Sequence, residues 1–203
     1  MITNDIFGFT FNKPESGYVW ENIFSIPTQI EDIGLGNVNN ALKNNFSCIN
    51  INPALGYDIY HKQISVLYSP LTAGSDFSMI NYSMLVELDK LKIPFSFQVG
   101  KIVSGEAERF NVLGESYGYK FRENFLFNTI AFGYYLKGYD INIGFGIKNV
   151  YQSLDEYSSY GTNLDLGFIG PLKGNYVYGI SWLNVLPTKF GTDNTVSLLR
   201  SAI

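Results

Sequence analysis

The sequence predicts an all-β protein, an antiparallel up-and-down sheet of about eight strands of the outer-membrane barrel type. Three observations predict it. Large apolar residues alternate with small or polar ones over successive segments, turn-forming stretches separate those segments, and short connections alternate with long ones. Composition agrees: Tyr and Phe bring the aromatic share to 16%, there are 20 glycines, and charged residues make up only 16% of 203. An ordinary soluble domain carries about a quarter charged residues. The balance of 14 Lys+Arg against 18 Asp+Glu leaves no basic footprint of the kind nucleic acids require.

The alternation begins near Lys62. Ile64, Val66 and Tyr68 open it. Ile80, Tyr82, Met84, Val86 and Leu88 then oppose Asn81, Ser83, Leu85 and Glu87, and Phe95, Phe97 and Val99 oppose Ser96, Gln98 and Gly100. Further on, Ile130, Phe132, Tyr134 and Leu136 oppose Thr129, Ala131, Gly133 and Tyr135. The clearest case sets Ile141, Ile143, Phe145 and Ile147 against Asn142, Gly144, Gly146 and Lys148. Leu164, Leu166 and Phe168 oppose Asn163, Asp165 and Gly167, and Tyr176, Tyr178, Ile180 and Trp182 oppose Val177, Gly179, Ser181 and Leu183. A period of two puts the members of each pair of sets on opposite faces of a strand.

Asp89–Ile93, Lys137–Asp140 and Pro171–Asn175 read as short turns; Ser104–Asn124, Gln152–Tyr160 and Val185–Asn194 read as longer polar loops. Short turns then gather at one end of the sheet and long loops at the other, as in outer-membrane barrels. In such a barrel the apolar set faces lipid and the small polar set lines the interior, where Asp165 and Glu87 would lie. Aromatics near segment ends, Tyr151, Tyr157, Tyr160, Tyr176 and Trp182, suit interfacial girdles. Alternation alone does not separate inside from outside. A soluble antiparallel binding module without catalytic activity therefore remains the alternative, with Ile143, Phe145, Leu164 and Leu166 buried against a second layer.

Residues 1–60 differ from the strand region 61–203. They hold Gly34-Leu35-Gly36-Asn37, a possible short helix or loop over Val38–Asn45, and the segment Ile49–Gly56, where alternation stops and Pro53 excludes a central strand. This stretch reads as a hatch or plug. At Gly34-Leu35-Gly36-Asn37, Asn52-Pro53-Ala54-Leu55-Gly56 and Tyr68-Ser69-Pro70 the chain resembles the FadL-like superfamily of outer-membrane proteins, in its PorV/PorQ-type branch. The likeness continues through Gly161 to Asp165-Leu166-Gly167, and through Gly179 to Asn184 and Pro187.

The resemblance implies a barrel of about fourteen strands when complete, with Asn52, Pro53 and Ala54 in a hatch inside it. It implies passage of hydrophobic molecules, or a part in type IX protein secretion, in the outer membrane of a Gram-negative-type bacterium. The partners would be outer-membrane lipid and a hydrophobic small molecule or secreted cargo. Three departures point to a partial chain: no signal-peptide pattern over Met1–Phe7, about eight strands, and an end at Leu199–Ile203 inside a strand-like run.

Chemistry is sparse. His61 is the only histidine and Cys48 the only cysteine, so neither a Cys-based zinc site nor an intrachain disulfide is available. Glu106 with Glu108, and Asp155 with Glu156, read as solvated loop charges. Gly144 and Gly146 fall mid-strand, where a dinucleotide fingerprint cannot operate. No catalytic, cofactor-binding or metal-binding residue is predicted, and an enzyme is not expected.

Overall fold

The computed structural model describes residues 5–6, 9–10, 40–41, 48–58, 62–88, 91–111, 113–171, 176–185, 189–190 and 197–198. The strands are β1 (Asp5–Ile6), β2 (Phe9–Thr10), β3 (Gln63–Pro70), β4 (Asp76–Leu88), β5 (Leu91–Val103), β6 (Ala107–Phe110) and β7 (Ser116–Phe121). They continue as β8 (Glu123–Leu136), β9 (Ile141–Leu154), β10 (Tyr157–Pro171), β11 (Val177–Trp182), β12 (Lys189–Phe190) and β13 (Ser197–Leu198). Seven of them form one sheet in the order β11-β10-β9-β8-β5-β4-β3, with every neighbouring pair antiparallel. Hairpin β6–β7 interrupts the chain between β5 and β8 without entering that sheet, and β1–β2 and β12–β13 are separate two-stranded pairs. Among the described residues β3 and β11 are the sheet's two edges and do not pair with each other.

Cross-strand rows define the two faces. On one face the rows run Tyr82–Phe97–Ile130–Ile147–Leu164 and Met84–Phe95–Phe132–Phe145–Leu166–Trp182. The rings of Phe95 and Phe132 meet at 5.4 Å within the second row. This face is open. Phe145 in the sheet centre is 36% exposed, and Ile64 and Val66 on edge strand β3 are 70% and 71% exposed. The soluble alternative requires a second layer over Ile143, Phe145, Leu164 and Leu166; among the described residues the face carries none.

The opposite face is covered. A row of small residues, Gly133–Gly144–Gly167–Ser181, crosses β8 to β11. Beside it lies Ser83–Ser96–Ala131–Gly146–Asp165, then the polar row Asn81–Gln98–Thr129–Lys148–Asn163. Farther along, Met79–Gly100–Phe127–Val150 continues the series. There Phe77, Met79, Phe125, Phe127 and Val150 pack into one cluster edged by Leu67 and Ile102. Phe77 and Phe127 stack at 6.3 Å, and the Phe127 ring lies over Gly100, where any Cβ would overlap it.

The expected strand count and loop rhythm need correction. The main sheet has seven strands. Gln152–Tyr160 is no loop, because β9 runs to Leu154 and β10 restarts at Tyr157. Asp155 supplies the left-handed conformation (φ 53°) that closes this tight turn. Ser104–Asn124 folds into hairpin β6–β7. Lys137–Asp140 is a turn as expected. Residues 89–90, 172–175, 186–188 and 191–194, with most of 1–47, lie outside the described residues, so the readings placed on Gly34–Asn37 and Val185–Asn194 are largely beyond them.

Hairpin β6–β7 is held by charge. Glu106 pairs with Lys120 at 3.3 Å and Arg122 at 2.9 Å. Arg109 pairs with Asp155 at 2.8 Å and lies over the rings of Tyr117 and Tyr119. Lys120 and then Arg122 hold the Glu106 carboxyl below its ordinary pKa. A depressed folded pKa contributes stability that is present above the unfolded value and lost as pH falls through the folded one. Opening of the Ala107–Phe121 hairpin, read by amide exchange corrected for intrinsic rates, is therefore expected to rise on acidification below the ordinary carboxylate range. Glu106→Gln should reduce this pH dependence, leaving what the Arg109–Asp155 pair contributes.

Candidate functional site

Across the glycine row, the polar row and the row between them, a short backbone segment lies on the covered face. Two short 3-10 helices, Cys48–Asn50 with three residues and Pro53–Asp58 with six, form it. Pro53 fits such a turn because its fixed φ suits helical backbone and excludes a sheet interior. Ile49, Asn50, Asn52, Ala54 and Leu55 are all buried.

Glycine makes the approach possible. A Cβ on Gly144 would overlap the backbone of Pro53 and Ala54, and one on Gly167 would overlap the Asn52 side chain. A Cβ on Gly179 would overlap the carbonyl of Asn40. Pro53 reaches Gly146, while Ala54 and Leu55 pack with Ile169, joined by Ile51.

Polar clips fix the segment in place. Asn50 Nδ2 donates to Gln98 Oε1 at 2.6 Å, and Thr129 Oγ1 donates to Asn50 Oδ1 at 3.0 Å. Gln98 also donates to Met79 Sδ, which uses its second amide group within the covered layer. Asn52 Oδ1 accepts the Ala54 N–H at 3.0 Å in a local turn that orients the side-chain amide. Asn52 Nδ2 then donates to Asn40 O at 2.8 Å, with Phe168 O at 3.4 Å and Ile180 O at 3.5 Å also within reach. Ser181 Oγ donates to Asn40 Oδ1 at 2.9 Å.

Beside the segment lies a buried ion pair. Lys148 Nζ stands 2.6 Å from Asp165 Oδ2, with side chains 1% and 0% exposed. Asp165 Oδ1 accepts the backbone N–H of Asn184 at 2.8 Å. Asn184 has φ 53° just past β11, and the next N–H, of Val185, returns to Leu164 O at 2.8 Å. The two oxygens of Asp165 thus join strand β9 to the distorted end of β11.

The expected hatch residues Asn52, Pro53 and Ala54 all lie in this site. Asp165 lies there too, whereas Glu87 shares its face but sits exposed at a strand end, paired with Lys92 at 3.0 Å. Glu106, Glu108, Asp155 and Glu156 are remote from it in or beside the hairpin, and His61 is outside the described residues. Sequence reasoning singles out the glycines of β9 as space-makers but misses Asn50, Gln98, Thr129 and Lys148 as partners. For Gln98, Thr129 and Lys148 the signal is a polar residue at a covered-face position in each of three strands, which becomes a site only once register aligns them. Among the described residues no cluster of His, Cys, Asp and Glu could hold a metal ion.

Compared with protein-family models, curated proteins and solved structures, the chain has no match. The site is therefore interpreted from its own geometry. It is a docking seat: it binds backbone, satisfies polar side chains, and holds no convergent nucleophile and base among the described residues. Asp165→Ala would leave the Lys148 ammonium buried without its carboxylate and is expected to cost about 3–5 kcal/mol. The double change Lys148→Met/Asp165→Leu should recover a large part of that loss, as measured by denaturant unfolding of both variants in the same medium.

Proposed function

We propose that this chain forms wall strands of an outer-membrane β-barrel of the FadL/PorV type, with residues 48–55 as part of a hatch inside it. The carrying observation is the inverted polarity of the sheet. The face with Asn81, Gln98, Thr129, Lys148, Asn163 and Asp165 is buried, while the face with Ile64, Val66, Ile80, Phe132, Phe145 and Ile180 is open. A water-soluble sheet buries its apolar face, whereas a barrel wall presents it to lipid and keeps polar groups inside.

The open face is apolar along the middle of each strand. On β9 the apolar stretch from Ile141 to Ile147 advances about 20 Å, or about 16 Å along the bilayer normal at a tilt of about 40°, and Asn149 and Tyr151 carry the face on toward the headgroup region. Toward the β9–β10 turn the apolar band gives way to a polar ladder across β8, β9 and β10. Asn149 Nδ2 donates to Asn128 Oδ1 at 2.9 Å, and Thr162 Oγ1 and Tyr160 OH each donate to Asn149 Oδ1 at 2.8 Å. Tyr151 and Tyr160 flank that ladder, where amphipathic rings suit the headgroup region.

In this reading further strands continue the sheet at β3 and β11 and close it. The apolar cluster around Phe77 and Phe127, on the same face as the hatch, favours passage of a hydrophobic molecule over a purely structural part in protein secretion. In this reading outer-membrane lipid is the partner of the open face.

The deciding measurement is fractionation. The protein is expected in outer-membrane fractions, and after purification it should need detergent and show β-type circular dichroism. Recovery as a monodisperse monomer without detergent would reject the reading. Phe145→Arg adds a graded test: at mid-membrane depth it should destabilise the bilayer-inserted protein by about 2–4 kcal/mol. Ser153→Arg, on the same face beyond the apolar stretch, should cost far less.

A further inference from the structure

We infer that the Asn40 and Asn50–Leu55 contacts are a clamp across the β10–β11 seam, so that β11 keeps its place in the sheet only while the clamp is seated. The reasoning starts from unequal pairing. Strand β9 runs beside β10 from Tyr157 to Ile169 and beside β8 from Glu123 to Leu136, whereas β11 pairs with β10 only from Leu166 to Pro171. Among the described residues β11 has no other strand neighbour in the sheet. A short edge strand with so brief a ladder is the segment expected to open first.

The seated segment compensates at that place. Phe168 and Ile180 face each other across the seam, and the Asn52 amide lies within reach of both their carbonyls, 3.4 Å from one and 3.5 Å from the other. Its shortest bond, to Asn40 O, ties in a second piece of chain that itself rests on β11. There Asn40 covers Gly179 and accepts from Ser181 Oγ at 2.9 Å. One side chain therefore joins β10, β11 and two separate parts of the N-terminal region. Asp165 closes the same seam at its far end, through its bond to the Asn184 N–H.

Burial of the segment and retention of β11 are then one event. Unseating it removes the bridge over Phe168 and Ile180, and leaves β11 to its short ladder. The coupling does not depend on the medium that meets the open face. It does require that β11 lack a second strand neighbour, so unchanged exchange at Val177–Trp182 in both variants would overturn the clamp while leaving the membrane reading standing.

Hydrogen exchange on the full-length protein, read by mass spectrometry in the medium where it is folded, tests the clamp. Asn52→Ala should speed exchange of the Val177–Trp182 amides about tenfold while leaving the β8–β9 ladder from Phe125 to Val150 unchanged. Ser181→Ala removes only the Asn40 tie, and should give a smaller acceleration, about threefold, at the same amides. It is the milder variant and keeps the test decisive if Asn52→Ala does not fold. No acceleration at Val177–Trp182 in Ser181→Ala, or equal acceleration in all strands with either variant, would overturn the inference.

Discussion

A row of polar side chains across the middle of a sheet is the constraint on which the rest of this structure depends. Asn81, Gln98, Thr129, Lys148 and Asn163 lie side by side on five adjacent strands, and all are buried. A buried polar group left unpaired costs about 1–3 kcal/mol, and a charge more. Five such groups without partners would approach the whole stability of a typical domain, about 5–15 kcal/mol. The covered face therefore needs something hydrogen-bonding laid against it. The Asn50–Leu55 segment meets part of that need through Asn50, and Asp165 meets another part through Lys148.

Close approach of that segment sets a second requirement. Backbone can reach sheet backbone only where side chains are missing, and Gly144 and Gly167, in a glycine row one row removed from the polar row, provide such a strip. Glycine weakens strands on its own account, so a run of it across three central strands has to be offset by what docks there. Here the offset is the packing of Pro53 and Ala54 on Gly144 and Gly146, and the apolar contact of Leu55 and Ile51 with Ile169. Sheet and segment are each incomplete alone.

Much of this architecture is legible in the amino-acid sequence. Period-two alternation locates the strands and sorts their faces correctly, because each strand keeps one face apolar along its middle. It loses its power where that contrast ends. Tyr157, Ser158, Ser159 and Tyr160 resemble loop because polar and aromatic residues there occupy both faces, as suits a strand extending past the apolar band. Ser104–Asn124 likewise hides a hairpin, flanked by ion pairs of Glu106 with Lys120 and Arg122 that leave no periodic trace. The hatch motif Asn52-Pro53-Ala54 stands out, yet its seat does not. Gln98, Thr129 and Lys148 come from three strands, and only their register shows that they share one row.

The ion pair lies on the covered face, close behind the open one. Lys148 lies between Ile147 and Asn149 on β9, so its side chain stands directly behind the open-face row Ile130–Ile147–Leu164. The covered side excludes water from it, and in a bilayer the open side would hold hydrocarbon. A pair enclosed from both directions interacts in a low effective dielectric, where its attraction is strong and its separation costly. Asp165 spends its second oxygen on Asn184, just past the end of the weakest-paired strand. This buried charge is thus tied to the strand with the shortest ladder in the main sheet, at one of the two edges seen among the described residues.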